Sequence, residues 1–416
     1  MVSPLLTLGL VAGNLGLIFL LMTVPLGSRT VKLSRLVAAD RMRLWQAKWP
    51  LGAHAGWSGE IVSATSDGEG AARVFLSWEG RDGLPIERKI VLEDVNEGRR
   101  FAMRVIDDTS LDPSFWAHYR ETTELIREGE FTRVVVSQTD RYRGVAFLIF
   151  RYFAMRRELA KLKVWGESGR YRAGGWFEHP LSQVGFAVVS ALILWPLFGL
   201  NIGGFALAAT LTSVVALHEL GHMTAFRMMG HKRTRMIFIP LLGGIAIGGR
   251  PYDSHFEVAF VALMGAGFSA LFVPAAMLGS EFAGAEGHRL AAALLATFAG
   301  CAALFNIANL VPVWKFDGGQ VLRQICPTPW VLASCSFLIL AAFLGVGWRA
   351  GFEPGFLLVA AAVFIVLSLL TMGSGVKPRH ELKPIGTFDR VAIGGALLAV
   401  FVIHGCGVLW AVSKLA

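Results

Sequence analysis

Apolar residues recur along this chain in runs close to about 20 residues, the length that a helix needs to cross a bilayer. The first run extends from Pro4 to Gly27, and because no basic residues precede it we expect a retained span rather than a signal peptide. Seven further runs each predict a spanning helix, at approximately 181–199, 203–228, 256–280, 289–312, 329–348, 355–373 and 389–412. The fold class expected is a polytopic α-helical membrane protein with about eight spans and a separate α+β domain.

The α+β domain is predicted between the first two spans, in the more polar stretch 28–178. Helices are expected near Ser34–Lys48 and at Gly144–Trp165. Between them, extended patterns are separated by turns rich in Gly and Asp. The predicted strands are Gly59–Thr65, Ala71–Trp78, Ile86–Glu93, Arg100–Ile106, Ser114–Thr123 and Phe131–Gln138.

The distribution of Lys and Arg predicts the topology. Basic residues follow the first span and precede the second, so both ends of 28–178 are expected on the cytoplasmic side, whereas the acidic stretch Glu281–Glu286 falls outside. The expected organisation is a first span (1–27), a cytoplasmic α+β domain (28–178), a membrane core (179–325) and additional spans (326–416). The absence of a long targeting extension favours a multi-pass protein of a bacterial inner membrane.

Composition supports this class. Charged residues make up 17% of the chain, hydrophobic residues 54%, and the mean hydropathy is +0.55, whereas soluble domains carry about 25% charged residues. The net charge of +9 comes mostly from residues beside apolar runs, which indicates topology and no nucleic-acid partner. The four cysteines form no CxxC pair and are read as small buried hydrophobes.

The third span contains the sequence His218-Glu-Leu-Gly-His222. Residues four apart share one face of a helix, so His218 and His222 can direct two imidazoles at one metal ion. Glu219 lies beside them as a candidate base for water, whose pKa zinc lowers to about 7. Ionisable groups are rare within a span unless they have a function, which favours a metal site over a polar helix contact.

A third metal ligand is expected because a catalytic zinc takes three protein ligands and one water. The candidate is Asp317, at the end of the fifth span in Asn309-Leu-Val-Pro-Val-Trp-Lys-Phe-Asp-Gly-Gly319. The alternative is that Asp317 caps the following helix. The third and fifth spans both end on the cytoplasmic side, so the two motifs are expected at a similar depth.

Together the two motifs, about ninety residues apart, resemble the site-2 protease family of intramembrane zinc metallopeptidases over roughly residues 181–325. The resemblance implies that His218, His222 and Asp317 bind Zn²⁺, that Glu219 activates water, and that Asn309 steadies the substrate or the oxyanion. Residues Ile237–Gly249 resemble the family's membrane-dipping loop, with an interfacial hairpin as the alternative. Two departures are Met264-Gly-Ala-Gly-Phe-Ser269, where relatives often have Gly-Pro, and Phe316, where leucine is usual.

The order of one helix, six antiparallel strands and a long terminal helix in 28–178 resembles the START/polyketide-cyclase superfamily, whose helix-grip fold encloses an apolar cavity. This resemblance implies a lipid ligand or recruitment of substrate. The alternative is an unrelated α+β domain in which Gly144–Trp165 is a basic helix lying on the membrane.

The function expected is an intramembrane zinc endopeptidase that cleaves a transmembrane or membrane-adjacent segment of a membrane-protein substrate near the cytoplasmic face. Two alternatives stay open: a non-catalytic sensor or lipid-binding protein on a peptidase scaffold, and a transporter or channel. His231 is expected in solvent or at headgroups, and His255, His288 and His404 at the interface or in the core.

Overall fold

The computed structural model describes residues 16, 19–21, 23–52, 57–170, 179–239, 243–371 and 379–415. The chain divides into two compact units. The first, called here the sheet unit, comprises Met1–Gly175 and Gly373–Glu381, and the second, the helical unit, comprises Trp176–Met372 and Leu382–Ala416. Most of the first predicted span lies outside the described residues.

The sheet unit is built on one antiparallel sheet of seven strands in the order β1-β7-β6-β5-β4-β3-β2. A short helix, α1 (Arg41–Lys48), follows the first strand, and a long helix, α2 (Val145–Ser168), follows the last. The strands are β1 (Pro25–Val37), β2 (Ile61–Ser66), β3 (Ala71–Glu79), β4 (Pro85–Asn96), β5 (Arg100–Asp108), β6 (Arg120–Glu128) and β7 (Phe131–Arg143).

Strand β1 corrects the sequence prediction, which placed a helix at Ser34–Lys48 and six strands in the domain. The chain is extended up to Val37 and pairs with β7 from Pro25↔Arg143 to Val37↔Thr132. Val31 is buried and Leu33 packs on the core, so apolar residues alternate with polar ones at the period of a strand. The helix begins only at Arg41, because Asp40 caps it by accepting from the Met42 and Arg43 amides.

Aromatic side chains fill part of the core of the sheet unit. The Trp45 ring stacks on Trp49 at a centroid separation of 5.1 Å, and both meet Phe101 edge to face. Buried residues Met155, Leu159 and Leu162 of α2 belong to the same core, and Leu148 near the start of the helix packs against it. The long helix is therefore held to the sheet by one face along most of its length.

A buried charged network lies in the same unit. The Lys48 ammonium donates to Glu121 Oε1 at 3.3 Å and to Glu158 Oε1 at 2.7 Å. Glu121 Oε2 accepts from the Tyr119 hydroxyl at 2.8 Å and from the Gln138 amide at 2.7 Å. Burial alone would raise the pKa of Glu121, but Lys48 and these donors lower it below its ordinary value. The network is fully paired and consequently stabilises the charged forms.

The helical unit contains eight helices among its described residues, together with a two-stranded hairpin. The hairpin consists of β8 (Arg235–Ile239) and β9 (Gly243–Ile247), paired from Arg235↔Ile247 to Ile239↔Gly243. The helices are α3 (Pro180–Leu194), α4 (Ile202–Met228), α5 (His255–Ala285), α6 (Arg289–Asn309), α7 (Asp317–Ile325), α8 (Pro329–Arg349), α9 (Pro354–Thr371) and α10 (Thr387–Leu415).

All seven apolar segments predicted after the polar region coincide with helices. Among the described residues, six helices are long and apolar enough to cross a membrane, and Pro354–Leu370 is a shorter apolar helix. Small residues bring these helices close together, as is common in membrane bundles. A Cβ on Gly221 of α4 would lie 2.2 Å from the Met264 carbonyl oxygen of α5, so these two backbones are almost in contact.

Candidate metal centre

Helix α4 brings the two motif histidines together. His218 and His222 are one turn apart, and their Nε2 atoms are separated by 3.2 Å. His218 is 4% exposed and its ring meets Phe305 of α6 edge to face. The spacing of four residues therefore places both imidazoles on the face that packs inside the helical unit, as the sequence predicts.

Asp317 reaches the same point from α7. Its Oδ2 atom lies 3.0 Å from His218 Nε2 and 3.5 Å from His222 Nε2. Asp317 is the first residue of α7, and Phe316 occupies the N-cap position without a side-chain capping bond. The alternative reading of Asp317 as a helix cap is therefore wrong.

The two glycines after Asp317 hold this helix start against the preceding backbone. A Cβ on Gly318 would lie 1.9 Å from the Leu310 carbonyl oxygen, and one on Gly319 would lie 2.0 Å from that of Val313. No residue with a side chain fits at such distances without a backbone shift. The Asp-Gly-Gly sequence thus allows the tight turn that carries Asp317 to the histidines.

The donor set fits a metal ion. One ligand atom from each of His218, His222 and Asp317 lies within 4.8 Å of the other two. Asp317 Oδ2 is buried and has no hydrogen-bond partner, although two imidazole nitrogens lie within 3.5 Å. Acceptor atoms that converge without a hydrogen between them are costly in a buried site, and a shared cation would satisfy all three. Two histidines and one carboxylate form a catalytic zinc set.

The outer nitrogen of each imidazole faces an acceptor. His222 Nδ1 lies 2.7 Å from the Val261 carbonyl oxygen, and His218 Nδ1 lies 2.7 Å from Asn306 Oδ1. The Asn306 amide is oriented by its own nitrogen, which donates to the Ala302 carbonyl at 2.8 Å. Both Nδ1 atoms must then carry the hydrogen, which leaves the Nε2 lone pairs free for a metal.

Asn306 is a residue of the candidate site that the sequence reasoning missed. It is fully buried in α6, and an amide within a predicted span is itself a signal of a specific partner. The asparagine predicted from the sequence to act in the site is Asn309, whose amide nitrogen donates to the Phe305 carbonyl of the same helix at 3.0 Å. The oxyanion role of Asn309 stays a prediction.

Gly265 of α5 lies directly against the two imidazole rings. A Cβ at this position would lie 2.5 Å from His222 Nε2 and 2.7 Å from His218 Cε1. The segment Met264–Ser269 therefore contributes a residue without a side chain where the rings need space.

Glu219 is buried beside the histidines and contacts the hairpin. Its Oε2 atom accepts from the Ala246 backbone N–H of β9 at 2.9 Å. A Cβ on Gly244 would lie 2.2 Å from Glu219 Cγ, so the glycine lets the strand pass directly over this side chain. The segment Ile237–Gly249, predicted as a membrane-dipping loop with a hairpin as the alternative, thus belongs largely to the β8–β9 hairpin, which borders the candidate site.

His231 is the histidine whose surroundings were predicted wrongly. It is 2% exposed rather than solvated. Its Nε2 lies 2.6 Å from Glu257 Oε1, and its Nδ1 accepts from the Gly249 amide at 3.1 Å. Arg250 also donates to Glu257 at 2.9 Å. His231 therefore fastens the end of the hairpin to α5.

Comparisons with known proteins bear on one part of the chain. No family model matches the sequence. No curated protein matches it either. Among solved structures, a protein from Deinococcus radiodurans is similar at 15% identity over 34% of this chain and 99% of its own, with a TM-score of 0.26. The Aha1 dimer from Colwellia psychrerythraea is similar at 13% identity over 34% of this chain and 98% of its own, with a TM-score of 0.27.

A START superfamily protein from Mycobacterium smegmatis is similar at 12% identity, over 32% of this chain and 92% of its own, with a TM-score of 0.25. These matches cover about a third of the chain.

Proposed function

We propose that this protein is a membrane-embedded zinc metalloprotease that cleaves a transmembrane or membrane-adjacent segment of a protein substrate. The observation that carries the proposal is the convergence of His218, His222 and Asp317, whose ligand atoms lie within 4.8 Å of one another. They come from two motifs far apart in sequence. Their joint resemblance to the site-2 protease family, together with six helices of spanning length and composition, supports an intramembrane peptidase.

The chemistry follows from the chain's own residues. His218, His222 and Asp317 would hold zinc, which when bound supplies Lewis acidity that makes water a nucleophile at neutral pH. Glu219 accepts the proton of the attacking water and returns it to the leaving amine. A backbone or side-chain N–H near the scissile carbonyl, with Asn309 as the predicted donor, would stabilise the charge on its oxygen.

Hairpin strand β9 is the proposed place for substrate. An extended segment can add to the edge of a strand through backbone hydrogen bonds. The strand lies directly on Glu219 through Ala246 and Gly244, so a segment paired with it would run beside the proposed base. This proximity favours the β9 edge over a purely interfacial hairpin.

The sheet unit is proposed to recruit substrate rather than to enclose a lipid. Its interior contains the Trp45–Trp49–Phe101 cluster and the buried Lys48–Glu121 pair. A buried ion pair is a poor lining for an acyl chain, because apolar contact would not replace its hydrogen bonds. Lipid that co-purifies with the full chain, and is lost on changing Trp45 to alanine, would contradict this assignment.

Zinc stoichiometry by elemental analysis on detergent-purified protein tests the function. About one zinc per chain is expected for a site of this type, with loss in the Asp317→Ala and His222→Ala variants. His255→Ala is the matched control, because its imidazole is bonded to Gln324 Oε1 at 2.6 Å. Folded wild type without zinc, or zinc unaffected by Asp317→Ala, would overturn the proposal.

The Glu219→Gln variant separates a protease from a scaffold that only binds metal. It is expected to keep its zinc and to lose cleavage of a transmembrane test substrate by about 10²–10⁴-fold, the contribution typical of a general base. Cleavage that is equal in the variant and the wild type would exclude Glu219 as the base.

A further inference from the structure

The first half of α2 exposes a cluster of large apolar side chains. Phe147, Phe150 and Phe153 are 51%, 69% and 57% exposed, and Ile149 and Tyr152 are 47% and 40% exposed. We call these five residues the α2 aromatic face. Exposed apolar clusters of this kind mark a surface that contacts a partner or a membrane.

Burial of side chains differs between the two ends of α2. Buried residues begin at Met155 and continue with Leu159 and Leu162. No residue from Val145 to Phe153 is buried. One face of α2 therefore packs on the sheet, with Leu148 against the core and Arg151 bonded to Asp140, whereas the opposite face of its first half is exposed and needs another environment.

The position of the α2 aromatic face indicates which environment that is. The Gly144 amide, directly before α2, donates to the Val24 carbonyl at 2.8 Å. The start of β1 at Pro25 also pairs with Arg143 at the end of β7. Val24 is where the apolar stretch from Pro4, the predicted first span, passes into the sheet. The first turns of α2 thus begin beside the chain segment that is expected to leave the bilayer.

Charge on the same helix fits an anionic lipid surface. Arg157 and Lys161 follow Phe153 at successive spacings of four residues, which keeps them on the same side of α2, and both are partly exposed. Arg156, next to this line, is exposed. Aromatic residues at one end and basic residues beyond them match the order of acyl boundary and headgroups at a membrane interface.

We infer that the α2 aromatic face inserts into the bilayer interface and docks the sheet unit on the lipid surface through Phe147, Phe150 and Phe153, with Arg157 and Lys161 at the level of the phosphates. The occupant is lipid, not a second protein. This role is separate from the proposed zinc chemistry and holds whether or not the protein is a protease.

Site-specific photocrosslinking of the full chain in vesicles of phosphatidylethanolamine and phosphatidylglycerol tests the inference. Benzoylphenylalanine would replace Phe150 or Phe153, which are exposed and tolerate a larger ring. Val62 and Leu84 are matched controls, because they are 57% and 62% exposed. Val62 lies on β2, at the opposite edge of the sheet from β1. Adducts are identified by mass spectrometry after irradiation.

Lipid adducts at 150 and 153, several-fold more abundant than at 62 and 84, would support docking on the bilayer. Three results would overturn it: lipid adducts equal at all four positions, adducts at 150 to a protein segment, or no lipid adduct at 150 in vesicles that label a spanning-helix position. Ile149 provides an independent labelling site should one substitution lower the yield of folded protein.

Discussion

Each unit of this protein buries a cluster of ionisable side chains, and the two clusters differ in how their polar atoms are satisfied. In the sheet unit, both oxygens of Glu121 accept hydrogen bonds, from Lys48, Tyr119 and Gln138. In the helical unit, Asp317 Oδ2 faces two imidazole nitrogens and receives no hydrogen bond. Burial alone therefore does not separate a cluster whose polar atoms are all paired from one that leaves an acceptor unpaired.

The difference teaches how to recognise a metal centre without a metal. In a paired network the buried charges compensate one another, so removing one side chain leaves an uncompensated buried charge. Buried acceptor atoms that face one another have no such compensation unless a cation binds between them. The comparison therefore predicts that removing one residue of the sheet-unit cluster lowers the stability of that unit. Reorienting a ligand atom of the helical-unit cluster should instead lower its affinity for zinc.

The largest effect is expected for Lys48→Met in the sheet unit. Glu121 would stay buried without its cation, and the free energy of unfolding of this unit should fall by about 3–5 kcal/mol. Hydrogen exchange of strand amides measures the loss. The double variant Lys48→Met with Glu121→Leu should recover much of it, because the buried carboxylate is removed together with its cation, and Glu158, which is 38% exposed, can be solvated. A single variant as stable as the wild type would show that the network is not a paired charge cluster.

In the helical unit, the Asn306→Ala variant tests whether zinc binding depends on the side chain that orients His218. Without the amide oxygen, His218 is no longer held with its hydrogen on Nδ1, and zinc affinity should fall about 10–100-fold, as for other residues that support metal ligands. Competition with a chromogenic chelator measures affinity. Asn309→Ala is the matched control, because its amide is bonded to its own helix. Equal affinity in Asn306→Ala and wild type would contradict the orientation argument.

A smaller effect, about tenfold in zinc affinity and comparable to the weakest supporting-residue losses, is expected for Gly265→Ala. The added Cβ would meet His222 Nε2 at 2.5 Å and displace the ring. Gly267→Ala is the control on the same helix, since the nearest atom to its Cβ is at 3.7 Å. If both variants bind zinc like the wild type, the positions of the imidazole rings do not depend on the absence of a side chain at Gly265.

The sequence predicts the helices and the convergence of the two motifs well, for identifiable reasons. Long apolar runs produced helices at all seven predicted segments, because the run length and composition together leave few other structures. The spacing of His218 and His222 fixes their common face. Asp317 could be assigned only through the expected topology and a motif resemblance, since nothing in local sequence says that α7 approaches α4. In the structure, the carboxylate oxygen lies 3.0 Å from His218 Nε2.

Other features depend on tertiary packing and were not predictable locally. The sequence pattern predicts a helix over the last four residues of β1, Ser34–Val37, because the partner strand β7 lies more than ninety residues away in sequence. His231 was expected in solvent because it lies in a basic loop, but Glu257 and Gly249 enclose it. Asn306 was overlooked in favour of Asn309, since only the approach of α6 to His218 distinguishes the two amides.

The hydrogen bond from Ala246 to Glu219 has a consequence for the order of events in the proposed reaction. That backbone N–H has one acceptor, Glu219 Oε2, at 2.9 Å. A peptide segment that added to this edge of β9 at Ala246 would need the same hydrogen for its own carbonyl. The two acceptors are mutually exclusive, so docking of the segment would release the carboxylate. Pairing of a segment with the strand edge would then free Glu219 Oε2 from its backbone hydrogen bond as the substrate arrives.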